Sequence, residues 1–333
     1  MTQKLENITT IGTGELTNKA MIRNVIDKLS TVFVFLAIMI LMEFLHSGFI
    51  TANNISLIAL QSVTRAVLAI GVMLVIISGA IDISVGTVMS LSMVVMGIAV
   101  IDAGLPLWLG FVVALAAGTL MGGINGFLVA YANLPSFIAT LGMLGVAQGL
   151  ALFMSNGRSL YGFPESFEFV GGGSFIGIPM PVLILIGFAL IMLFVFYQTK
   201  LGRYAFTMGG SEEGTRRAGI NVRRYRMGIF AISGATAGLA SILLSSRINS
   251  AHPGIGFGYE LDAIAAVVIG GGSLMGGRGT VWGAIIGALI MSEIRFGLNI
   301  LGMSPFIQQI VVGVVLIAAV YIDTMRSGPT RSR

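Results

Sequence analysis

The 333-residue chain contains no cysteine. That excludes disulfides, thiolate zinc sites and iron–sulfur clusters. It has two histidines, His46 and His252, in separate loop regions, and they cannot form a metal centre by themselves. Charge is also scarce: 10% of residues are charged and 56% are hydrophobic, whereas a soluble domain carries roughly 25% charged residues. Residues 103–157, 169–199 and 296–322 contain no Asp, Glu, Lys or Arg at all. A membrane helix needs about 20 mostly apolar residues, so the chain reads as an all-α, polytopic membrane helix bundle. A soluble enzyme, a nucleic-acid binder and a disordered chain are excluded. The 46 glycines suit membrane helices, where small residues let backbones approach. The alternation over ~10-residue strands that a β-barrel requires is not the pattern here.

Hydropathy predicts ten spans, near 31–50, 62–80, 84–101, 106–131, 136–154, 180–198, 228–247, 260–275, 280–299 and 305–322. The first is interrupted by Glu43, the second starts near Arg65, and the eighth is short and opens with Glu260 and Asp262. With the N-terminus inside, 15 of the 19 basic residues fall on the inner face; the exceptions are Arg65, Arg158, Arg247 and Arg295. That split follows the positive-inside rule. It divides the chain into a cytoplasmic tail (1–30), a transmembrane domain (31–322) and a second cytoplasmic tail (323–333). An outer loop spans 155–179, and an inner loop at 199–227 holds seven basic residues with Glu212 and Glu213. Connectors between spans usually take 2–8 residues, so the inner loop is expected to have a task of its own.

The stretch from Gly79 to Val88 resembles that from Gly272 to Val281, sharing both glycines and a Thr-Val pair at an offset of 193. Two related halves are one explanation of the echo and coincidence is the other. Around Asp82 the Gly-rich stretch fits either a broken helix beside a pathway or a tight turn; around Arg278 the charge favours the turn.

No Gly-x-x-x-x-Gly-Lys-Ser/Thr loop occurs, and none of the four lysines follows a glycine, so the chain has no P-loop for hydrolysing ATP. Among the acids, Glu293 lies deepest in a span, and a buried structural role is expected for it over a pathway role. Three function classes remain: a transport subunit driven by another chain, a stand-alone ion-coupled carrier of a small polar solute, and a membrane-embedded enzyme. The last is weakest, because both histidines lie in loops and no catalytic constellation is seen.

The segment 209–222 is the most specific local signal. Ser211 is placed to cap a short helix, Glu212 and Glu213 suit its first turn, Arg216 and Arg217 its last, and Gly219 its end. Such a helix is too short to persist alone, so it reads as a knob for a cytoplasmic partner.

Here the sequence resembles the simple-sugar permeases of bacterial ABC importers, the ribose/xylose/arabinose/galactose type. Ile81-Asp82-Ile83-Ser84-Val85-Gly86 is similar to that family's Ile-Asp-Leu-Ser-Val-Gly. Pro135-Ser136-Phe137-Ile138-Ala139-Thr140-Leu141-Gly142 is similar to its Pro-Pro-Phe-Ile-Ala-Thr-Leu-Gly. Ala218-Gly219-Ile220-Asn221-Val222 matches the end of its coupling loop, and Gly258-Tyr259-Glu260-Leu261-Asp262-Ala263-Ile264-Ala265-Ala266 its Gly-Tyr-Glu-Leu-Asp-Ala-Ile-Ala-Ala block. At 215–217 the chain reads Thr-Arg-Arg, where relatives more often have Ala-Arg-Leu.

The resemblance implies a multi-pass permease of the bacterial inner membrane with both termini cytoplasmic. Its partners would be an ABC ATPase subunit holding ATP and Mg, a periplasmic sugar-binding protein, and a second permease subunit, identical or not. Ser211, Glu212, Glu213, Arg216, Arg217, Ala218, Gly219, Ile220 and Asn221 would couple to the ATPase. Asp82, Ser84, Asn125, Ser136, Phe137, Thr140, Glu260 and Asp262 are the pathway candidates for a sugar or sugar-like substrate. Gly118, Gly122 and Gly126 form a small-residue face, as do Gly279, Gly283 and Gly287, and both are expected to pack helices.

Overall fold

The structure, a computed structural model, describes residues 31–327. Its helices are α1 (Thr31–Leu45), α2 (Ala52–Ile77), α3 (Val85–Gly97), α4 (Leu107–Ala130), α5 (Ser136–Met154), α6 (Glu168–Gly172), α7 (Met180–Gln198), α8 (Lys200–Gly210), α9 (Glu212–Arg217), α10 (Val222–Ile248), α11 (Tyr259–Ile269), α12 (Val281–Ile300) and α13 (Pro305–Ser327). A π-helical turn, Ile98–Asp102, extends α3. Four two-residue strands, β1 (Leu160–Tyr161), β2 (Ser174–Phe175), β3 (Ile178–Pro179) and β4 (Ser250–Ala251), are the only β-structure among the described residues. Eight helices are long and apolar enough to cross a membrane. The two remaining expected spans, α1 and α11, are helical but short. At 1.5 Å per residue they reach only about 22 and 16 Å, against a ~30 Å hydrocarbon core.

Each departure from the hydropathy reading has a local cause. The second span begins at Ala52, ten residues before its expected start, because Arg65 does not end the helix; Arg65 is buried and paired inside the bundle. Glu43 closes α1 by accepting from the backbone N–H of Gly48 (2.9 Å) and Ile50 (2.6 Å). α11 is short at both ends. The chain before it descends along α3, with His252 N–H on Met93 Sδ at 3.3 Å and Gly256 N–H on Ser90 Oγ at 2.8 Å. After it, Gly271, Gly276 and Gly277 adopt positive φ (86°, 85° and 72°), a conformation that ends a helix. The inner loop holds one helix more than expected: α8 starts one residue after α7, with Thr199 Oγ1 accepting from Gly202 N–H.

The two echoing stretches are non-helical up to Ser84 and Thr280 and lie side by side at one end of the bundle, where Gly277 N–H donates to Ile77 O at 2.8 Å. Segment 78–84 then leads into α3, and 270–280 into α12. In the loop 155–179, β2 and β3 form a hairpin, and β1 pairs antiparallel with β4, matching Leu160 to Ala251.

Two helix seams in the core bring backbone onto backbone. The small-residue face of α4 meets α10: a Cβ on Gly118 would lie 2.2 Å from Gly234 O, and one on Gly122 2.2 Å from Phe230 O. Likewise Gly283 and Gly287 of α12 face Gly270 O and Ala266 O of α11. Gly122→Leu should therefore lower the thermal stability of the purified protein by about 2–3 kcal/mol. Gly123→Leu should stay near wild type, because nothing lies within 4 Å of that position.

Candidate functional site

Ser78, Ala80, Asp82 and Ser84 are buried where the chain leaves the helical ladder, so this stretch needs partners within the protein. Asp82 supplies the centre. One carboxylate oxygen accepts from Ser84 N–H (3.0 Å) and Ser84 Oγ (2.7 Å), and the other accepts from Ser233 Oγ of α10 (3.0 Å). Asn125 Nδ2 of α4 donates to Ser84 Oγ at 2.9 Å. From α5, Ser136 Oγ accepts Ile81 N–H at 3.1 Å, and Thr140 Oγ1 donates to Ser136 O at 2.9 Å. Five candidates (Asp82, Ser84, Asn125, Ser136 and Thr140) thus meet around one broken stretch of backbone. Asn125 Oδ1 has no hydrogen-bond partner among the described residues.

The other three candidates lie elsewhere. Phe137 of α5 is 49% exposed and makes no side-chain contact with the Asp82 group among the described residues. Glu260 is buried in the first turn of α11; Oε1 accepts Gly258 N–H at 2.9 Å, while Oε2 packs against Gly86 and lacks a hydrogen bond. Asp262 belongs to a second polar site. Its Oδ2 meets Arg65 Nε of α2 at 2.9 Å and its Oδ1 meets Arg295 Nη2 of α12 at 2.7 Å. Arg65 Nη1 further donates to Gln61 O, and its guanidinium lies over the Tyr259 ring, 5.3 Å from the centroid.

Sequence reasoning missed Ser233, Arg65 and Arg295. A serine on a helix carries no distinguishing signal. For the two arginines the signal existed: an ionisable residue inside an apolar run needs a partner in the bundle. Glu293 is fully buried, and neither carboxylate oxygen has a partner among the described residues. It shares a stripe with Ile290 and Gly297, at i−3 and i+4. Gly297 abuts Met42 and Ile290 lines a groove with Val34 and Ile38, so Glu293 faces α1 and not Asp262.

The inner-loop candidates form one compact module. Ser211 Oγ accepts Gly214 N–H at 3.0 Å and caps α9. Glu212 holds Arg216 (2.9 Å) and Arg226 (2.7 Å), and Glu213 holds Arg217 (3.0 Å). These pairs are largely exposed, apart from Arg226, and contribute little singly. Ala218 ends the helix, Gly219 turns with φ 78°, and Asn221 Oδ1 caps α10 through Arg224 N–H at 3.1 Å. Ile220 sits with Ser211, Thr215 and Ala218 around a concavity of about 350 Å³. The Thr-Arg-Arg departure leaves the helix intact: Thr215 is buried and bonds Ser211 O at 2.8 Å, while Arg216 and Arg217 point outward.

Residues 54–320 match the family model described as "Branched-chain amino acid transport system / permease component". The chain belongs to this permease family. The permease is 38% identical over 296 residues to the ribose import permease protein of Haemophilus influenzae, covering 87% of this chain and 91% of that one. It is 36% identical over 304 residues to the D-allose transport system permease protein of Escherichia coli K12, with 90% and 93% covered. A probable ABC transporter permease protein of the same strain is 36% identical over 302 residues, with 88% of each chain covered. No solved structure matches the chain.

In this permease the α9 module and the Asp82 site share a backbone junction. Gly209, the next-to-last residue of α8, leaves so little room that a Cβ there would lie 1.9 Å from Ile77 O and 2.4 Å from Gly277 N. A Cβ on Gly276 would meet the Cα atoms of Gly209 and Gly79 at 2.9 and 3.0 Å. Three glycines from three segments converge between α9 and residues 78–84.

Proposed function

We propose that this chain is the transmembrane subunit of an ABC importer that carries a simple sugar or sugar-like solute inward across the bacterial inner membrane. A separate ATPase subunit holding ATP and Mg would supply the energy, a periplasmic binding protein the solute, and a second permease subunit the other half of the pathway. Both termini would lie in the cytoplasm, on the side where α8 and α9 carry their basic residues. The names of the relatives supply the solute class. The observation that carries the reading is the capped, charged α9 with its apolar-walled concavity, adjoining the Gly79–Gly209–Gly276 junction.

In mechanism, a partner gripping α9 acts on the end of α8. Gly209 bears directly on the end of α2 and the 270–280 turn, and the next residues of α2's chain run to Asp82. ATP binding moves the pathway only if the ATPase contacts α9 differently in its two states. Asp82, Ser84, Asn125, Ser136 and Thr140 would supply the few polar groups that a hydroxylated solute needs in an apolar wall. An ion-coupled carrier is the competing class.

The test is uptake of D-ribose into proteoliposomes containing this chain, its ATPase and its binding protein. Uptake should require ATP. Glu213→Lys or Gly219→Val should cut it roughly ten-fold or more while membrane insertion is unchanged. Uptake driven by a proton or sodium gradient with this chain alone would overturn the reading.

A further inference from the structure

The loop 155–179 ends in an apolar hairpin whose tip no described residue covers. Its strands pair Phe175 with Ile178, which leaves Ile176 and Gly177 as a two-residue turn. Both turn residues have positive φ, 53° and 76°, as a type I′ turn requires. The first position of such a turn favours Asn, Asp or Gly, because a β-branched side chain there crowds the backbone. Isoleucine stands there instead, and it is 85% exposed. Packing within the chain therefore does not offset the strain. Phe175 and Ile178 are exposed beside it.

The height of the hairpin is set by α7. Strand β3 runs into α7 without a linker, and Gly173 O accepts Met180 N–H at 2.8 Å, which ties the base of the hairpin to the first turn of the helix. α7 has 19 residues. At 1.5 Å per residue that is about 28 Å, close to the ~30 Å hydrocarbon core. Its Met180 end thus sits at the edge of the hydrocarbon, with the hairpin at the level of the lipid headgroups on the side opposite α9. Ile186, Leu190, Ile191 and Phe194 of α7 are exposed, so the hairpin continues a lipid-facing surface. It stands apart from the Asp82 group, whose partners come from α4, α5 and α10. No charged residue occurs between 169 and 199. The acids that precede the hairpin are Glu165 and Glu168, and Glu168 accepts from Asn249 Nδ2 at 2.9 Å. An uncharged tip of one aromatic and two isoleucines at headgroup level has the composition of an interfacial anchor.

We propose that the 174–179 hairpin is a membrane anchor whose tip, Phe175, Ile176 and Ile178, inserts among the lipids of the leaflet opposite α9. Insertion holds α10 as well. The residues just before the hairpin are fastened to the end of α10 opposite α9. Phe167 O accepts Ser246 Oγ, and a Cβ on Gly171 would run into the backbone of Ser246 and Arg247. α10 follows α9 in the chain, so the anchor fixes the far end of the helix into which the α9 module leads.

The chain has no cysteine, so Ile176→Cys supplies a single thiol for an environment-sensitive fluorophore. The labelled full chain is reconstituted into nanodiscs of phosphatidylcholine and phosphatidylglycerol. It is then exposed separately to iodide in the water and to phosphatidylcholine bearing a nitroxide high on its acyl chain. The nitroxide lipid is expected to remove at least about half of the emission, and iodide far less, as for a group inserted at the acyl boundary. Ile178→Cys should give the same order, and it decides the matter if the Ile176 variant folds poorly. Arg158→Cys, at an exposed charged position of the same loop, should give the reverse order. Lipid quenching as strong there would overturn the assignment to the hairpin tip. Iodide quenching that equals or exceeds lipid quenching at both hairpin positions would overturn the anchor. If that iodide quenching vanished on adding the purified binding protein, the tip would belong to that partner instead. Shielding from both quenchers would place the tip against protein, a second copy or another segment of this chain, and would equally overturn it.

Discussion

Replacing Asp262 with alanine should destabilise the permease by about 3–5 kcal/mol, the range for removing one partner of a buried ion pair. The substitution leaves Arg65 only 9% exposed at its side chain and Arg295 at 21%, with their shared counter-ion gone. Arg65 cannot reach water without unpacking α2 from α11 and α12, and Arg295 is only partly open. The strength of the effect lies in the charges left behind and not in the value of the pair itself. A variant that removes all three groups, Arg65→Met with Asp262→Leu and Arg295→Met, should therefore recover most of the loss. Chemical or thermal unfolding of the purified variants decides the matter. A mild Asp262→Ala, or a triple variant as unstable as the single one, would show that the cluster is not desolvated in the way described.

Gly209→Ala is expected to be the most damaging single-methyl addition at the junction between α8 and segment 78–84. Its Cβ would meet Ile77 O at 1.9 Å and Gly277 N at 2.4 Å, both backbone atoms. No rotamer relieves that overlap, and the hydrogen bond between those two atoms (2.8 Å) must stretch. A loss of about 1–3 kcal/mol follows from overpacking of this kind. The neighbouring Gly210→Ala, with nothing within 4 Å, should leave the stability of the isolated protein unchanged. In the assembled transporter, Gly209→Ala should also depress ATP-dependent uptake more than its stability loss accounts for. Measuring uptake per folded molecule separates the two effects.

Much of the fold was legible because apolar length is a one-dimensional property. Each of the ten hydrophobic runs became a helix, and the face of Gly118, Gly122 and Gly126 packed as its spacing implied. Errors arose where three-dimensional pairing reversed a local penalty. Arg65 lowers the hydropathy of the chain around it, yet α2 runs straight through because Asp262, 197 residues later, neutralises it. α8 was missed because it is amphipathic and carries Lys200 and Arg203, so hydropathy leaves it in the loop although only one residue separates it from α7. At the candidate site, the motif Ile-Asp-Ile-Ser pointed to Asp82 and Ser84, but their α10 partner Ser233 is 151 residues from Asp82 and bears no mark in the sequence. The α9 module was the easiest part to read, since caps, charges and terminal glycine all act within twelve residues.

The seam between α4 and α10 constrains how any such machine moves. Where side chains interdigitate, two helices can shear by exchanging rotamers. Gly118, Gly122 and Gly234 offer none to exchange, because main chain rests on main chain there. The two helices would therefore move as one lever, and in an alternating-access cycle the give would fall on the helix-free stretches at 78–84 and 270–280. Those stretches would be the bearings on which the lever turns.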